Sequence, residues 1–340
     1  MKDKIRKARN RLTRVLVGEA LGSWEKDIRN LKEQNGDLRR QIRNLQRQVE
    51  RLKELDNKIN KYISPEKYEE LLSDMLRQKA YEVMDWKTPK TFNQKMQWLK
   101  LYNNTPEKTR LTDKYLVRSF IKEVVGEKYL VPLLGVYDSF DEIDFDSLPR
   151  SFVMKANHGC GMNIIVKDKT KFDRDDARKK INYWLSYNFA YRSMEMHYKD
   201  IQPKIIIEKY IEFQAGIEDY KFYCFDGQPK YMLAIADRYT DEKMAFYDMK
   251  MQKQDISILP GMKDLNIKRP KQFDAMLELT KKFTKKLKYP MLRVDWYIDK
   301  KGDIYCGEIT FTPGSGFYRF QPDEQNRAWG DMMTLPKKSK

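Results

Sequence analysis

Long apolar runs are missing from these 340 residues: no stretch approaches the length of a membrane span, and the first residues lack the apolar core of a signal peptide. A soluble or peripherally bound protein is the expectation. Cysteine is scarce too. Cys160, Cys224 and Cys306 lie far apart in strand-like or loop contexts, so they make neither a metal-binding spacing nor a disulfide framework and fit a reducing cytoplasm. No Gly-Lys-Ser/Thr ending follows the glycine turn near residue 160, which excludes a Walker-type phosphate loop there.

Positive charge, by contrast, is in excess. The net charge is +17, and residues 1 to 62 carry 18 Lys/Arg against 9 Asp/Glu, about half of that excess in under a fifth of the chain. The rest is mildly basic, which argues against a globular nucleic-acid binder and for a basic appendage. Within it, Leu21, Ile28, Asn35, Ile42, Val49 and Asp56 alternate with Trp24, Leu31, Leu38, Leu45, Leu52 and Ile59 in a seven-residue repeat. Such a seam over 21 to 62 predicts a left-handed parallel coiled coil, roughly 60 Å long, with Asn35 fixing register, and hence a homodimer. Ahead of it, residues 1 to 20 contain seven basic side chains with Ile5, Ala8, Leu12, Val15 and Leu16 at helical spacing. This segment suits an anionic membrane surface, and a frayed basic tail is an equal alternative.

From Ile63 the pattern becomes that of an α+β body. Residues 63 to 110 read as helical, opening at Ser64-Pro65 and packing through Tyr68, Leu71, Leu72, Met75 and Leu76. Asp113 to Val124 reads as an amphipathic helix with Lys114 in its first turn. "SFVMKANHGCGMNIIVKDK" (151 to 169) is a hairpin whose turn, holding His158, Gly159 and Gly161, can close over phosphates with backbone N–H groups while Lys155 supplies a cation. "KIIIEKYIE" (204 to 212) is a buried strand whose exit offers backbone groups for an adenine edge and an acidic side chain for a ribose. Another hairpin follows, turning at Asp226-Gly227, from which Lys221 and Arg238 can face phosphate or an acidic substrate.

Last comes "RVDWYIDKKGDIYCGEITFTPGSG" (293 to 316), two strands with an acid inside each. With an even loop centred on Lys301 and Gly302, Asp295 falls directly opposite Glu308. Opposed like charges destabilise unless a cation compensates; a solvated face is the alternative.

In this order, the segments "LTDKYLVRSFI", "FVMKANHGCG", "IIIEKYI", "YKFYCFDG" and the final hairpin resemble the TupA-like ATP-grasp family over roughly residues 85 to 325. That family is associated with teichuronopeptide and other surface-polysaccharide synthesis. The resemblance implies an ATP-grasp fold with an ATP-binding subdomain (111 to 215), a metal-binding subdomain (216 to 330) and a basic tail (331 to 340). It implies Lys114 and Lys155 on the ATP phosphates under the loop with His158, Gly159 and Gly161. Glu208, Lys209 and Tyr210 would form the adenine hinge, and Glu212 would reach the ribose. Asp295 and Glu308 would bind magnesium, with Thr310 standing where many ATP-grasp enzymes have an Asn ligand. Arg293, Lys221 and Arg319 are the candidates for substrate or transition-state contacts.

The activity implied is ATP- and magnesium-dependent joining of a carboxylate to an amine through an acyl phosphate, on an anionic or lipid-linked glycan at the inner membrane face. Three alternatives stay open: a kinase acting on a glycan hydroxyl, a glycosyltransferase, and a coiled-coil adaptor without activity.

Overall fold

The computed structural model describes residues 30–32, 34–42, 44–45, 48, 59–213, 216–238 and 241–338. The chain divides into two units, residues 1–58 and 59–340. In the first, the described residues from Asn30 to Gln48 are helical, and the seam residues Leu31, Leu38, Ile42 and Leu45 are exposed. The basic segment 1 to 20 and most of the predicted seam lie outside the described residues.

The second unit is α+β, built on two antiparallel sheets. The smaller has the order β1-β4-β2-β3, from β1 (Leu133–Tyr137), β2 (Phe152–Ala156), β3 (Asn163–Val166) and β4 (Ile205–Lys209). The larger has the order β10-β9-β5-β6-β7-β8. Its strands are β5 (Ile217–Phe225), β6 (Gln228–Ala236), β7 (Lys243–Asp248), β8 (Lys253–Gln254), β9 (Met291–Ile298) and β10 (Ile304–Thr310).

Period-two alternation decides what each face carries. In β2 and β4, Phe152, Met154, Ile205 and Ile207 pack beneath the helix Arg174–Leu185, around Ile181. The opposite face therefore carries Lys155, Ile206 and Glu208. In β5 and β9, Tyr220, Phe222, Val294 and Trp296 pack against the helices Phe273–Lys286 and Val117–Val124. The other face divides along its length. One end buries Tyr223, Phe225 and Met291 against the helices Phe92–Tyr102 and Glu324–Asp331, with Trp329 ringed by aromatics. The other end carries Asp219, Lys221, Arg293 and Asp295.

The Asp226-Gly227 turn has positive φ at both residues (44° and 79°), the backbone that a two-residue hairpin of this hand requires. The β9–β10 hairpin reaches its expected pairing differently. Ile298 pairs with Ile304, so the connection 299–303 is odd, and this alone would put Asp295 opposite residue 307. A bulge between Cys306 and Glu308 takes up one residue and brings Glu308 opposite Asp295. Gly307 sits in the bulge because a Cβ there would lie 2.5 Å from the Tyr297 ring.

Candidate active site

Two narrow cavities, of about 90 and 30 Å³, adjoin at Lys155 and Glu208. The larger extends past Lys209, Tyr210, Ile211 and Phe213 to Asp219 and Arg238. The smaller runs to Lys114, Arg118, Gly307 and Glu308. Of the residues expected at the site, Lys114, Lys155, Glu208, Lys209, Tyr210 and Glu308 line these adjoining cavities between the sheets.

Glu208, expected at the adenine hinge, is held in two ion pairs. Its buried carboxylate accepts from Lys155 Nζ at 2.6 Å and from Arg118 at 2.8 Å, a paired arrangement that makes its burial tolerable. Arg118 was not anticipated from sequence. Its signal is a basic residue two positions before Phe120 in the helix Val117–Val124, and it also donates to the Val131 carbonyl at 2.8 Å.

Lys114 lies in the turn before that helix and not within it. Asp113 ends the helix Pro106–Thr112, and its Oδ1 accepts from the backbone N–H groups of Tyr115 and Leu116, at 2.7 and 3.2 Å, which breaks the helical run. Asp113 Oδ2 accepts from Asn157 at 3.0 Å, fixing the root of the glycine hairpin, and Lys114 Nζ donates to the Gly159 carbonyl. Gly161, at φ 74°, supplies the left-handed backbone of the tip.

His158 is corrected from phosphate contact to structural pin. Its ring is buried, with Nε2 2.9 Å from the Trp184 carbonyl and Nδ1 3.2 Å from Asn157 Oδ1, and burial pulls it below the ordinary imidazole range.

On the large sheet, Asp295 is 1% exposed. Both its oxygens are engaged: Arg293 Nε and NH2 donate at 2.7 and 2.8 Å, and Lys221 Nζ at 2.5 Å. Burial by itself would raise this carboxyl, but Arg293 and Lys221 outweigh it and hold Asp295 below the usual carboxylate range. Lys221 shows the converse: burial would lower it, and Asp295 with Asp219 keeps it above the ordinary lysine value. Asp219, also unanticipated, bridges Lys221 (3.1 Å) and Arg238 (2.8 Å); its signal is its place two residues before Lys221 on the same face.

Asp295, expected as a metal ligand, is therefore an anchor for cations in this arrangement, with both oxygens taken by Arg293 and Lys221. Glu308 is different. It is 25% exposed on its side chain, its Oε2 lies 3.5 Å from Arg293, and Oε1 makes no hydrogen bond among the described residues. Thr310 Oγ1 accepts from Arg293 at 3.0 Å. Among the described residues no three His, Cys, Asp or Glu side chains group as a metal site.

Two expected site residues are elsewhere. Glu212 is exposed and paired with Lys300 on the β9–β10 connection. Arg319 donates to the Lys79 carbonyl at 2.8 Å and stacks on Tyr81, so it belongs to the helical flank and not to the cleft.

A cleft between two antiparallel sheets, carrying Lys155 and Glu208 from the smaller, Asp219 and Glu308 from the larger and Lys114 beside them, suits an ATP-grasp protein. The family model described as TupA-like ATP-grasp matches residues 94–334, and the chain belongs to that family. Among curated proteins no relative matches it. Solved structures with a similar course include N5-carboxyaminoimidazole synthetase from Staphylococcus aureus complexed with ADP, at 14% identity and a TM-score of 0.37, covering 67% of this chain and 53% of that one. The ATP-grasp ligase PsnB, with a phosphomimetic precursor variant, Mg and ADP, gives 11% identity, a TM-score of 0.40 and coverages of 70% and 65%. D-alanyl-alanine synthetase A from Vibrio cholerae gives 8%, 0.39, and coverages of 64% and 62%. The chain spans about half the length of the first.

Proposed function

We propose that this protein is an ATP- and magnesium-dependent ligase that joins a carboxylate to an amine. The observation that carries the reading is the convergence of Lys114, Lys155 and Glu308 on one cleft in a chain of the ATP-grasp family.

The residues present suit a nucleotide and a magnesium ion in chemical kind. Lys209, Tyr210 and Ile211 line the end of the cleft where a base would sit. Lys155 and Lys114 have protein acceptors that phosphate oxygens can replace, Glu208 and the Gly159 carbonyl. Magnesium prefers hard oxygen donors, and Glu308 with the Thr310 hydroxyl offers them. When bound, the ion would neutralise charge on the phosphates. The cavities are narrower than a nucleotide needs, so binding requires the sheets or the 157–162 turn to move apart.

In the reaction, a carboxylate oxygen of the substrate bonds to the terminal phosphorus as the bond to the ADP oxygen breaks. The amine then attacks the acyl carbon, phosphate leaves with the bonding pair, and the nitrogen loses a proton. Arg293, held in place by Asp295, is positioned to meet negative charge that develops beside Glu308. Closure of the glycine hairpin keeps water from the acyl phosphate. The substrate would be an anionic or lipid-linked glycan of surface-polysaccharide synthesis, and the chain would dimerise through a parallel coiled coil that covers Leu31, Leu38, Ile42 and Leu45.

Calorimetric titration with ATP and magnesium tests the site. Micromolar binding weakened by Lys155→Ala supports it. Tight binding of a nucleotide sugar without any response to ATP would overturn it in favour of a glycosyltransferase.

A further inference from the structure

Thr112 ends the helix Pro106–Thr112 and is 8% exposed, and its Oγ1 is buried without any hydrogen-bond partner. A helical threonine ordinarily bonds back to a carbonyl three or four residues earlier. Thr112 does not. A buried hydroxyl left in this state costs free energy unless something else completes it. Its surroundings say what that is, because Thr112 lines the smaller cavity beside Lys114, Lys155 and Glu308.

We propose that Thr112 Oγ1 donates a hydrogen bond to the terminal phosphate of the bound nucleoside triphosphate. This inference rests on the ATP reading of the cleft and adds a contact to it. Three points favour an anion there. Lys114 and Lys155 line the same cavity as Thr112, a hydroxyl can donate to an anionic oxygen in a strong charge-assisted bond, and Thr112 is held rigidly. The rigidity comes from Asp113, whose backbone N–H donates to the Thr109 carbonyl at 3.1 Å and whose carboxylate binds Asn157 at 3.0 Å. The order of residues along the cleft assigns the terminal phosphate. The base end is at Tyr210 and Phe213, the two cavities meet at Lys155 and Glu208, and Thr112 stands beyond them with Glu308.

The test uses the full chain with Thr112→Val, which keeps the shape and removes the hydroxyl, and Thr112→Ser, which keeps the hydroxyl. Affinities for MgATP and MgADP are measured by calorimetry, and melting temperatures without nucleotide. The expected result is a roughly tenfold rise in the ATP Kd for Thr112→Val, little change for ADP, near wild-type affinity for Thr112→Ser, and a melting temperature of Thr112→Val at or above wild type. A merely structural threonine would lower the melting temperature and leave the ATP-to-ADP ratio unmoved. An unchanged ATP affinity in Thr112→Val overturns the contact, and equal weakening of both nucleotides overturns its assignment to the terminal phosphate. Wild type that binds neither nucleotide removes the ATP reading itself, and the contact with it.

Discussion

Asp295→Asn separates an anchor from a metal ligand. The native carboxylate takes three charge-assisted bonds, at 2.5, 2.7 and 2.8 Å, in a site that is 1% exposed. An asparagine keeps one acceptor oxygen and turns an N–H₂ toward Lys221 or Arg293. Removing one partner of a buried ion pair costs about 3–5 kcal/mol. The lower end applies because Lys221 keeps Asp219 at 3.1 Å and Arg293 keeps Thr310 at 3.0 Å. At about 2.1 cal/mol/K of unfolding entropy per residue, a loss of about 3 kcal/mol lowers the melting temperature of a 340-residue chain by roughly 4–5 °C. The assay is thermal unfolding without nucleotide or magnesium, beside Glu308→Gln, which weakens only a 3.5 Å pair with Arg293 and should cost less than Asp295→Asn. If Asp295→Asn melts within a degree or two of wild type, the anchoring argument is wrong and Asp295 is available to metal as the family resemblance implied.

Glu308→Gln is expected to abolish the magnesium dependence of nucleotide binding while folding normally; magnesium-dependent binding that survives would remove Glu308 from the metal site. Lys155→Ala should weaken ATP by roughly 10- to 100-fold, the worth of one charge-assisted contact, as read by calorimetry. Stability should rise from pH 7 toward pH 10. Burial pushes both Lys100 and Lys108 down to about 7, so across this window the unfolded chain binds more protons than the folded one, and each lysine contributes up to about 1.4 kcal/mol per pH unit. Below pH 7 their contribution is flat. Denaturation midpoints from pH 6 to 9.5 check this, with Lys100→Met expected to flatten the slope and an unchanged slope counting against it.

Much of the fold was legible because hairpins declare themselves locally. Turn residues and alternating apolar positions locate β2–β3, β5–β6 and β9–β10, and put Lys155 on β2, the strand that enters the glycine turn. What local pattern does not carry is the partner across the sheet. Asp295 and Glu308 were paired from their own hairpin, whereas β5 lies on the other flank of β9 and brings Lys221 to Asp295. The charge that compensates Asp295 is therefore lysine and arginine. Arg319 and Glu212 were misplaced for a related reason: proximity in sequence to a motif does not say which way the chain leaves it. His158 looked like a turn residue open to ligand, but its ring is consumed by the carbonyls at the end of the helix Arg174–Leu185.

The bulge at Gly307 makes turn length and strand pairing separable quantities in this hairpin. One residue looped out of β10 cancels one extra residue in the 299–303 connection, so the carboxylates keep their places although the tip is odd. A four-residue connection without the bulge would set the same two acids opposite each other. The bulge, and not the length of the tip, therefore holds the two acids together. Losing it while Ile298 still pairs with Ile304 would set Asp295 opposite Gly307 and turn Glu308 to the other face of the sheet.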